Sequence, residues 1–404
     1  MRDIIEQALK PFRDIKAGLQ KLQPKALTPE ALALRSKSSE DMLFEIWRGG
    51  GADLSMFAKS FFSIVPAEAL REALVQATEL YGPALSVGTE KQKNGYFLET
   101  SEYRLSVLLE RDRNGLVKGF FIKPPLFKME SINDLMAKMA AEASEHALIV
   151  KKNGEVVYSH QPDKALAVSS SYMLFVLKAL NDKMSAQNIK WRQKIRLKPE
   201  LVSYPEGSLY KKSKGALVPL QSAAQHMMVL SDNSCADVII DFLGASSLED
   251  TPERTPFLTS KQFFKLQADT ELAARYKDAE VEERRAILEE IDARDLPSLE
   301  DINRPVQDGV EWYASANELA KLIDELAPLP PMAGNSGFAT AADWLKVAFK
   351  GGSQIGVMAF TYNLQAKNGT RWQVSMIWND EKPLNEGRLM GLSNALLSYL
   401  KDKS

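Results

Sequence analysis

Residues 168–180 read VSSSYMLFVLKAL: three hydroxyls, a tyrosine, then a run that is apolar on nearly every side. A serine at the first turn of a helix lies beside backbone N–H groups that have no intrahelical partner, and the helix dipole there favours developing negative charge. That setting suits a nucleophile. The same letters also fit a serine that merely caps the helix. The residues that follow, Met173, Leu174, Phe175, Val176, Leu177, Ala179 and Leu180, leave no polar face, so the spacing predicts a helix sunk in a core.

Two more stretches with short polar residues in apolar surroundings follow in the chain. In MMVLSDNSCADVIIDFLG, 227–244, Ser231-Asp232-Asn233 falls between two apolar helical runs, where a turn can aim short side chains into a cleft. In VAFKGGSQIGVMAF, 347–360, Lys350 stands before Gly351 and Gly352 at the start of a predicted strand, an ammonium beside a backbone that a ligand can approach closely. A plain glycine turn ahead of an edge strand reads equally well. Taken singly each stretch is a weak signal; it is their order that carries information.

In that order they resemble the serine β-lactamase and penicillin-binding-protein superfamily, whose marks are S-x-x-K, S-D-N and K-T-G. LVSYPEGSLYKKSKGALVPLQSAAQHMMVLSDNSCADVIIDFLG, 201–244, and NDLMAKMAAEASEHALIVKKNGEVVYSHQPDKALAVSSS, 133–171, look throughout like parts of a class A enzyme, and the likeness runs from about 130 to 400. VEWYASANELAKLIDEL and FKGGSQIGVMAFTYNL resemble the subgroup with an added N-terminal ketosteroid-isomerase-like domain, to which the clavulanic-acid-cluster protein belongs. The resemblance implies an α/β (α+β) three-layer β-lactamase/transpeptidase-like domain with an antiparallel sheet, plus a smaller cone-shaped α+β domain.

It also implies roles. Ser170 matches the nucleophile, its N–H and that of Ser353 the oxyanion hole, Ser231 the proton relay to the leaving nitrogen, Asn233 the contact to the substrate amide, and Lys350, with Gly352 and Ser353 beside it, the cation and strand edge that take substrate. Two departures stand out. Met173 occupies the place of the lysine three residues after the nucleophile, which removes the positioned base that a serine hydroxyl needs. Gly351 stands where a hydroxyl would bind a substrate carboxylate, a part Ser353 is close enough in sequence to take. Lys178, two turns beyond Ser170, is a poor replacement amine, and Glu249 and Glu253 lie in the region of the class A deacylating glutamate without its sequence context.

The rest of the chain sets the frame. Apolar residues at helical spacing over 3–22 predict an amphipathic helix, with 1–28 as a separate N-terminal segment. A small α+β unit is expected over 29–126, with helices near 30–47 and 67–81 and two strands around the Asn114-Gly115 hairpin signal. The paired prolines of IKPPLFKMES suit a linker, and 127–404 is expected to form the larger domain, opening with a helix at 131–143 and a hairpin at Asn153-Gly154. Further expectations are a solvated charged helix in DAEVEERRAILEEIDARD, a loop at 327–337, a helix near 340–348, strands at 355–363 and 371–378, and a closing helix at 385–400.

Composition narrows the function classes. With 51 basic and 53 acidic residues dispersed along the chain there is no basic stripe for nucleic acid and no polybasic anchor. One cysteine, Cys235, forbids an internal disulfide, and His146, His160 and His226 lack ligand spacing, so no metal and no cofactor are expected. No window has the length of a transmembrane span, and the first twenty residues lack the apolar core of a signal peptide. The compartment stays open: cytoplasmic as the sequence stands, periplasmic or secreted if a leader precedes it. Two functions follow: a serine hydrolase acting on β-lactam or related amide or ester substrates through a Ser170 acyl-enzyme, weakened by Met173, or an inactive pseudoenzyme that binds a β-lactam-like or peptidoglycan-like ligand.

Overall fold

The computed structural model describes residues 35–123, 125–129, 131–204, 207–302, 304–305, 309–340 and 342–404. The chain divides into two compact units, Met1–Glu130 and Ser131–Ser404. The helix expected over 3–22 lies outside the described residues.

In the first unit, α1 (Ser39–Arg48) starts at Ser38, whose hydroxyl accepts the Asp41 N–H, and buries Met42, Leu43, Ile46 and Trp47 on one face. Helix α2 follows at Ala67–Tyr81. Four antiparallel strands, β1 (Ser86–Thr89), β2 (Gly95–Glu99), β3 (Tyr103–Arg111) and β4 (Val117–Ile122), form a meander. In β3 the residues Tyr103, Leu105, Val107 and Leu109 alternate inward, the period of a half-buried strand. The segment read as a linker is partly built into this sheet: β5 (Leu126–Phe127) pairs with Tyr103 and Arg104 of β3.

The second unit packs helices against an antiparallel sheet, as the resemblance implies. It opens with α3 (Ile132–Ala140), β6 (Glu145–Lys152), β7 (Glu155–His160) and the short β8 (Leu166–Ala167). Asn153 and Gly154, at φ 52° and 92°, make the tight β6–β7 turn that the Asn-Gly pair predicts. A 3₁₀ turn, Ser169–Tyr172, leads into α4 (Met173–Ala186), seven of whose apolar side chains are buried. After β9 (Lys194–Arg196) and β10 (Leu217–Pro219) come α5 (Leu220–Leu230) and α6 (Asn233–Leu243), then the charged region's α7 (Ser260–Ala268), α8 (Thr270–Asp278) and α9 (Val281–Asp292). Helix α9 keeps its charges outward and buries Ile287, Leu288 and Ile291. β11 (Tyr313–Ala314) pairs with β8 and leads into α10 (Ala316–Leu326).

Three long strands follow, β12 (Lys346–Gln354), β13 (Val357–Gln365) and β14 (Arg371–Asn379), and α11 (Glu386–Asp402) closes the chain. They complete an antiparallel sheet of order β12-β13-β14-β6-β7, with β12 on an edge. The helix expected near 340–348 is therefore corrected: residues from Lys346 on belong to β12, where nine consecutive residues pair with β13. Cross-strand pairing overrides the helical propensity of the alanine-rich stretch before it. The two glycines after Lys350 likewise lie inside this strand, not in a turn ahead of it.

Alternation fixes what each face of the sheet does. Ala147 and Ile149 of β6, Ala359 of β13 and Ile377 of β14 join α4, α5, α6 and α10 in one core cluster. Side chains one residue out of phase face the other way, and there Trp378 of β14 donates its indole N–H to Met139 O of α3. Gly352 pairs with Ala359, and Lys350 two residues earlier shares its face. Both thus point toward the helices, where the candidate site lies.

Candidate active site

The turn that carries Ser170 is strained. Ser169 has φ +46°, the left-handed region that costs an L residue roughly 1–2 kcal/mol. No serine caps α4: the residue before it is Tyr172, with helical dihedrals and no side-chain cap bond. The capping reading of VSSS is thus overturned. The turn is held from several directions. Val168 N–H donates to Trp312 O at 3.0 Å and Ser171 N–H to Val168 O at 3.1 Å. The Ser169 hydroxyl donates to Ser353 O at 3.3 Å. Below it, Tyr172 stacks on Trp312 with centroids 3.9 Å apart and its hydroxyl meets Ser260 Oγ at 2.8 Å.

Strand β12 presses against this turn. A Cβ on Gly352 would overlap Val168 O and stand 2.7 Å from Ser170 N and 2.8 Å from Ser171 N. Only a residue without a side chain lets the strand come this close. The approach sets the half-buried Ser170 and the exposed Ser353 on neighbouring backbone segments.

The S-D-N tripeptide is the joint between α5 and α6. Ser231 ends α5 in the left-handed conformation, φ +52°. Asp232, nearly fully buried, is the N-cap of α6 and accepts the Cys235 N–H at 3.0 Å. Asn233 donates its side-chain N–H to Tyr204 O at 2.5 Å, which pins the amide plane.

Lys350 reaches this joint from β12. Its ammonium donates to Ser231 Oγ at 2.5 Å and to Gly351 O at 3.1 Å. The residue is 1% exposed. Among the described residues no carboxylate forms an ion pair with it, and burial alone brings its pKa down from 10.5 to about 7. At neutral pH a large fraction is therefore free amine, able to accept a proton from the serine beside it.

The first motif has no such group. Met173 is fully buried in the core cluster. Lys178 is tied to Asp182 and Glu325, and the Asp182 hydrogen bond keeps its pKa above the ordinary lysine range. Glu249 is gripped by both outer nitrogens of Arg285, at 2.9 and 2.5 Å, which holds its carboxyl below the usual range. It is occupied as an anion. Glu253 is exposed.

A family model for the β-lactamase enzyme family matches residues 128–330, half of the 404-residue chain. The chain belongs to that family. Among solved structures this β-lactamase-family chain is similar to PBP-A, at 15% identity over 67% of this chain and 97% of that one, TM-score 0.44. It is similar to a β-lactamase from Sphaerobacter thermophilus at 15% identity, with coverage of 67% and 97% and TM-score 0.47. A class A β-lactamase from Mycobacterium abscessus aligns at 13%, covering 67% and 99%, TM-score 0.47. No curated protein matches its sequence.

Two buried acids of this β-lactamase-family chain were not singled out from sequence. Asp237 of α6, fully buried, accepts the N–H groups of Ser260 and Lys261 at 2.7 and 3.0 Å and so ties α6 to the start of α7 beneath Tyr172. Burial raises its pKa to about 7. Glu311, 4% exposed, accepts the N–H of Trp312 at 2.9 Å and a bond from Gln354 of β12. Its pKa is pushed up to about 8 by burial. Each was visible only as a lone charge in an apolar run, CADVII and VEWY. Among the described residues no helix is long and apolar enough to cross a membrane, and no His, Cys, Asp and Glu side chains gather in a group fit for a metal.

Proposed function

We propose that this chain is a serine hydrolase that forms an acyl-enzyme at Ser170 on β-lactam or related amide and ester substrates, with Lys350 acting through Ser231 as the base. The observation that carries the reading is the buried Lys350 amine 2.5 Å from Ser231 Oγ, with no ion-pair partner among the described residues. Ser170 Oγ attacks the substrate carbonyl carbon while its proton passes to Ser231 Oγ and the Ser231 proton to Lys350 Nζ. The oxyanion is received by the N–H groups of Ser170 and Ser353. As the C–N or C–O bond breaks, the proton returns through Ser231 to the leaving atom, and water later releases the acyl group. Asn233 takes the substrate amide, and Gly352 and Ser353 supply the strand edge along which substrate lies. With Met173 in place of an amine, the first motif contributes no base and turnover is slow.

A fluorophosphonate probe tests this. Labelling that Ser170→Ala and Lys350→Met both abolish is the expected result; labelling of some other serine, or none, overturns it. The apolar burial of Met173 favours a second reading, a cleft that binds such ligands reversibly without reacting. Reversible binding of a penicillin, with no covalent labelling by the probe, would select it.

We further infer that the first unit is a ketosteroid-isomerase-like cone, a reading supported by its antiparallel meander and the two helices α1 and α2. Its comparison with an experimental structure of the isolated unit is the test.

A further inference from the structure

We propose that the cavity between α3 and the outer face of β14, β6 and β7 is a second binding site, apart from the serine site, and that it takes a small monocarboxylic acid with an apolar body, the carboxylate lying on the imidazoles of His146 and His160. The proposal does not depend on reactivity at Ser170.

The sheet register brings the parts together. Trp378 of β14 stands opposite His146 of β6, Leu148 of β6 stands opposite His160 of β7, and Tyr158 is two residues along β7 from His160. All five are out of phase with Ala147 and Ile149, which join the core on the helical side. They therefore share the face turned away from Lys350 and the serine turn.

Helix α3 covers this face. Trp378 holds it by donating its indole N–H to Met139 O at 2.9 Å, and Met136 and Met139 are buried. Toward the two histidines, however, α3 presents Asn133, Ala137 and Ala140, spaced to fall on one side of a helix, and two alanine methyls do not fill the gap. A cavity of about 290 Å³ remains, with room for roughly ten water-sized groups. Asn133 and Ala137 are exposed and mark its entrance.

The lining divides by chemistry. Trp378, Leu148, Met136 and Met139 form an apolar wall, and methionine adapts to an irregular apolar body. The polar lining is His146, His160, Tyr158 and Asn133, and among the described residues no carboxylate, lysine or arginine joins it. A basic ligand thus finds no counter-charge here. The two imidazoles stack with centroids 4.2 Å and planes 4° apart, and His160 Nε2 is buried with no hydrogen-bond partner. A buried polar atom in apolar surroundings is costly until something meets it.

An acid anion meets it. Burial, and then the neighbouring His160, hold His146 below the ordinary imidazole range, so the empty cavity favours neutral rings. A carboxylate beside the pair favours imidazolium instead, so binding takes up a proton and the two charges enter the cavity as a compensated pair. The charged groups of the neighbouring elements are already matched: Glu145 with Lys164, Asp134 with Lys138, and Glu142 with Arg388. The ring pair is what remains to answer the anion.

The test uses the full chain, labelled with ¹³C on its methionine methyls, and sodium octanoate as the probe. 1-Octanol and octylamine carry the same tail on a neutral and a cationic head. Octanoate should shift the Met136 and Met139 methyl signals with a Kd on the order of a millimolar or tighter. Between pH 8 and pH 6, where the carboxylate stays ionised, its affinity should rise several-fold as the imidazole gains its proton. 1-Octanol should bind at least tenfold more weakly with no pH dependence, and octylamine should not bind. His160→Phe keeps a ring to stack on His146 and removes the nitrogens, so it should weaken octanoate tenfold or more and flatten the pH profile. Ala137→Phe fills the entrance from an exposed position, should abolish the shifts, and keeps the test open if His160→Phe does not fold.

The proposal is overturned if about 10 mM octanoate leaves both methyl signals unmoved, which would mark a cavity that holds water alone. Binding of 1-octanol as tight as octanoate overturns it as well, and so does octanoate binding that survives Ala137→Phe unchanged.

Discussion

Replacing Lys350 by methionine keeps a side chain of similar length in the same slot and removes the amine. An ordinary lysine of pKa 10.5 offers about one free amine in 3,000 at pH 7, whereas a lysine titrating near 7 offers about one in two. Burial thus multiplies the available base by roughly a thousand, about 4 kcal/mol in free-energy terms. If this amine drives acylation, the rate constant rises with unit slope in a logarithmic plot up to about pH 7 and levels above it. Lys350→Met should lose that limb and about a thousandfold in rate at pH 8. Lys350→Arg, whose guanidinium stays charged, should be equally slow. Acylation of the protein by a chromogenic ester, followed from pH 5.5 to 9, gives the profile. The same shift leaves a mark on stability. Between about pH 7 and 10.5 the unfolded chain holds the Lys350 proton and the folded chain does not, so stability rises with pH across that window, and below it the burial penalty is complete. Lys350→Met should therefore melt higher than wild type at pH 6, by on the order of a few kcal/mol less the lost bond to Ser231. A flat profile between pH 6 and 8 together with a destabilised Lys350→Met would refute the reasoning.

Two further substitutions probe the same frame from other sides. Gly352→Ala introduces a Cβ against Val168 O and 2.7 Å from Ser170 N, so β12 or the nucleophile turn must shift; circular dichroism should stay native while fluorophosphonate labelling falls at least a hundredfold. Met173→Lys buries an amine at a fully inaccessible core position, which should lower the melting temperature by the equivalent of a few kcal/mol at pH 6 and by less at pH 9, where the amine is neutral.

The fold was legible where local pattern and tertiary demand agree. The all-round apolar run after Ser171 is α4 in the core, the Asn153-Gly154 pair is a tight hairpin, and the alternating stretch at Tyr103 is β3. It failed where sheet pairing decides: the alanines before Trp344 suggested a helix, yet the backbone from Lys346 is claimed by nine pairs with β13. Sequence could propose that Ser231 and Lys350 share a site, because the motif order suggests it. It could not show that no carboxylate among the described residues pairs with Lys350, since that depends on every residue around a buried atom. The strain at Ser169 was equally hidden; nothing in three consecutive serines marks which one takes positive φ. Glu311 lies 142 positions after Ser169 in the chain, and its segment reaches the nucleophile turn only once β8 and β11 have paired.

Intact-protein mass spectrometry after incubation with penicillins and cephalosporins at pH 8 addresses the central claim most directly, with Ser170→Ala alongside. The expected result is a mass gain with Ser170 intact, equal to the whole molecule for a penicillin because ring opening retains every atom and to the molecule less any expelled 3′ group for a cephalosporin, and no gain in Ser170→Ala. A protein that gains no mass with any compound, or one that gains it equally with Ser170→Ala, would contradict it.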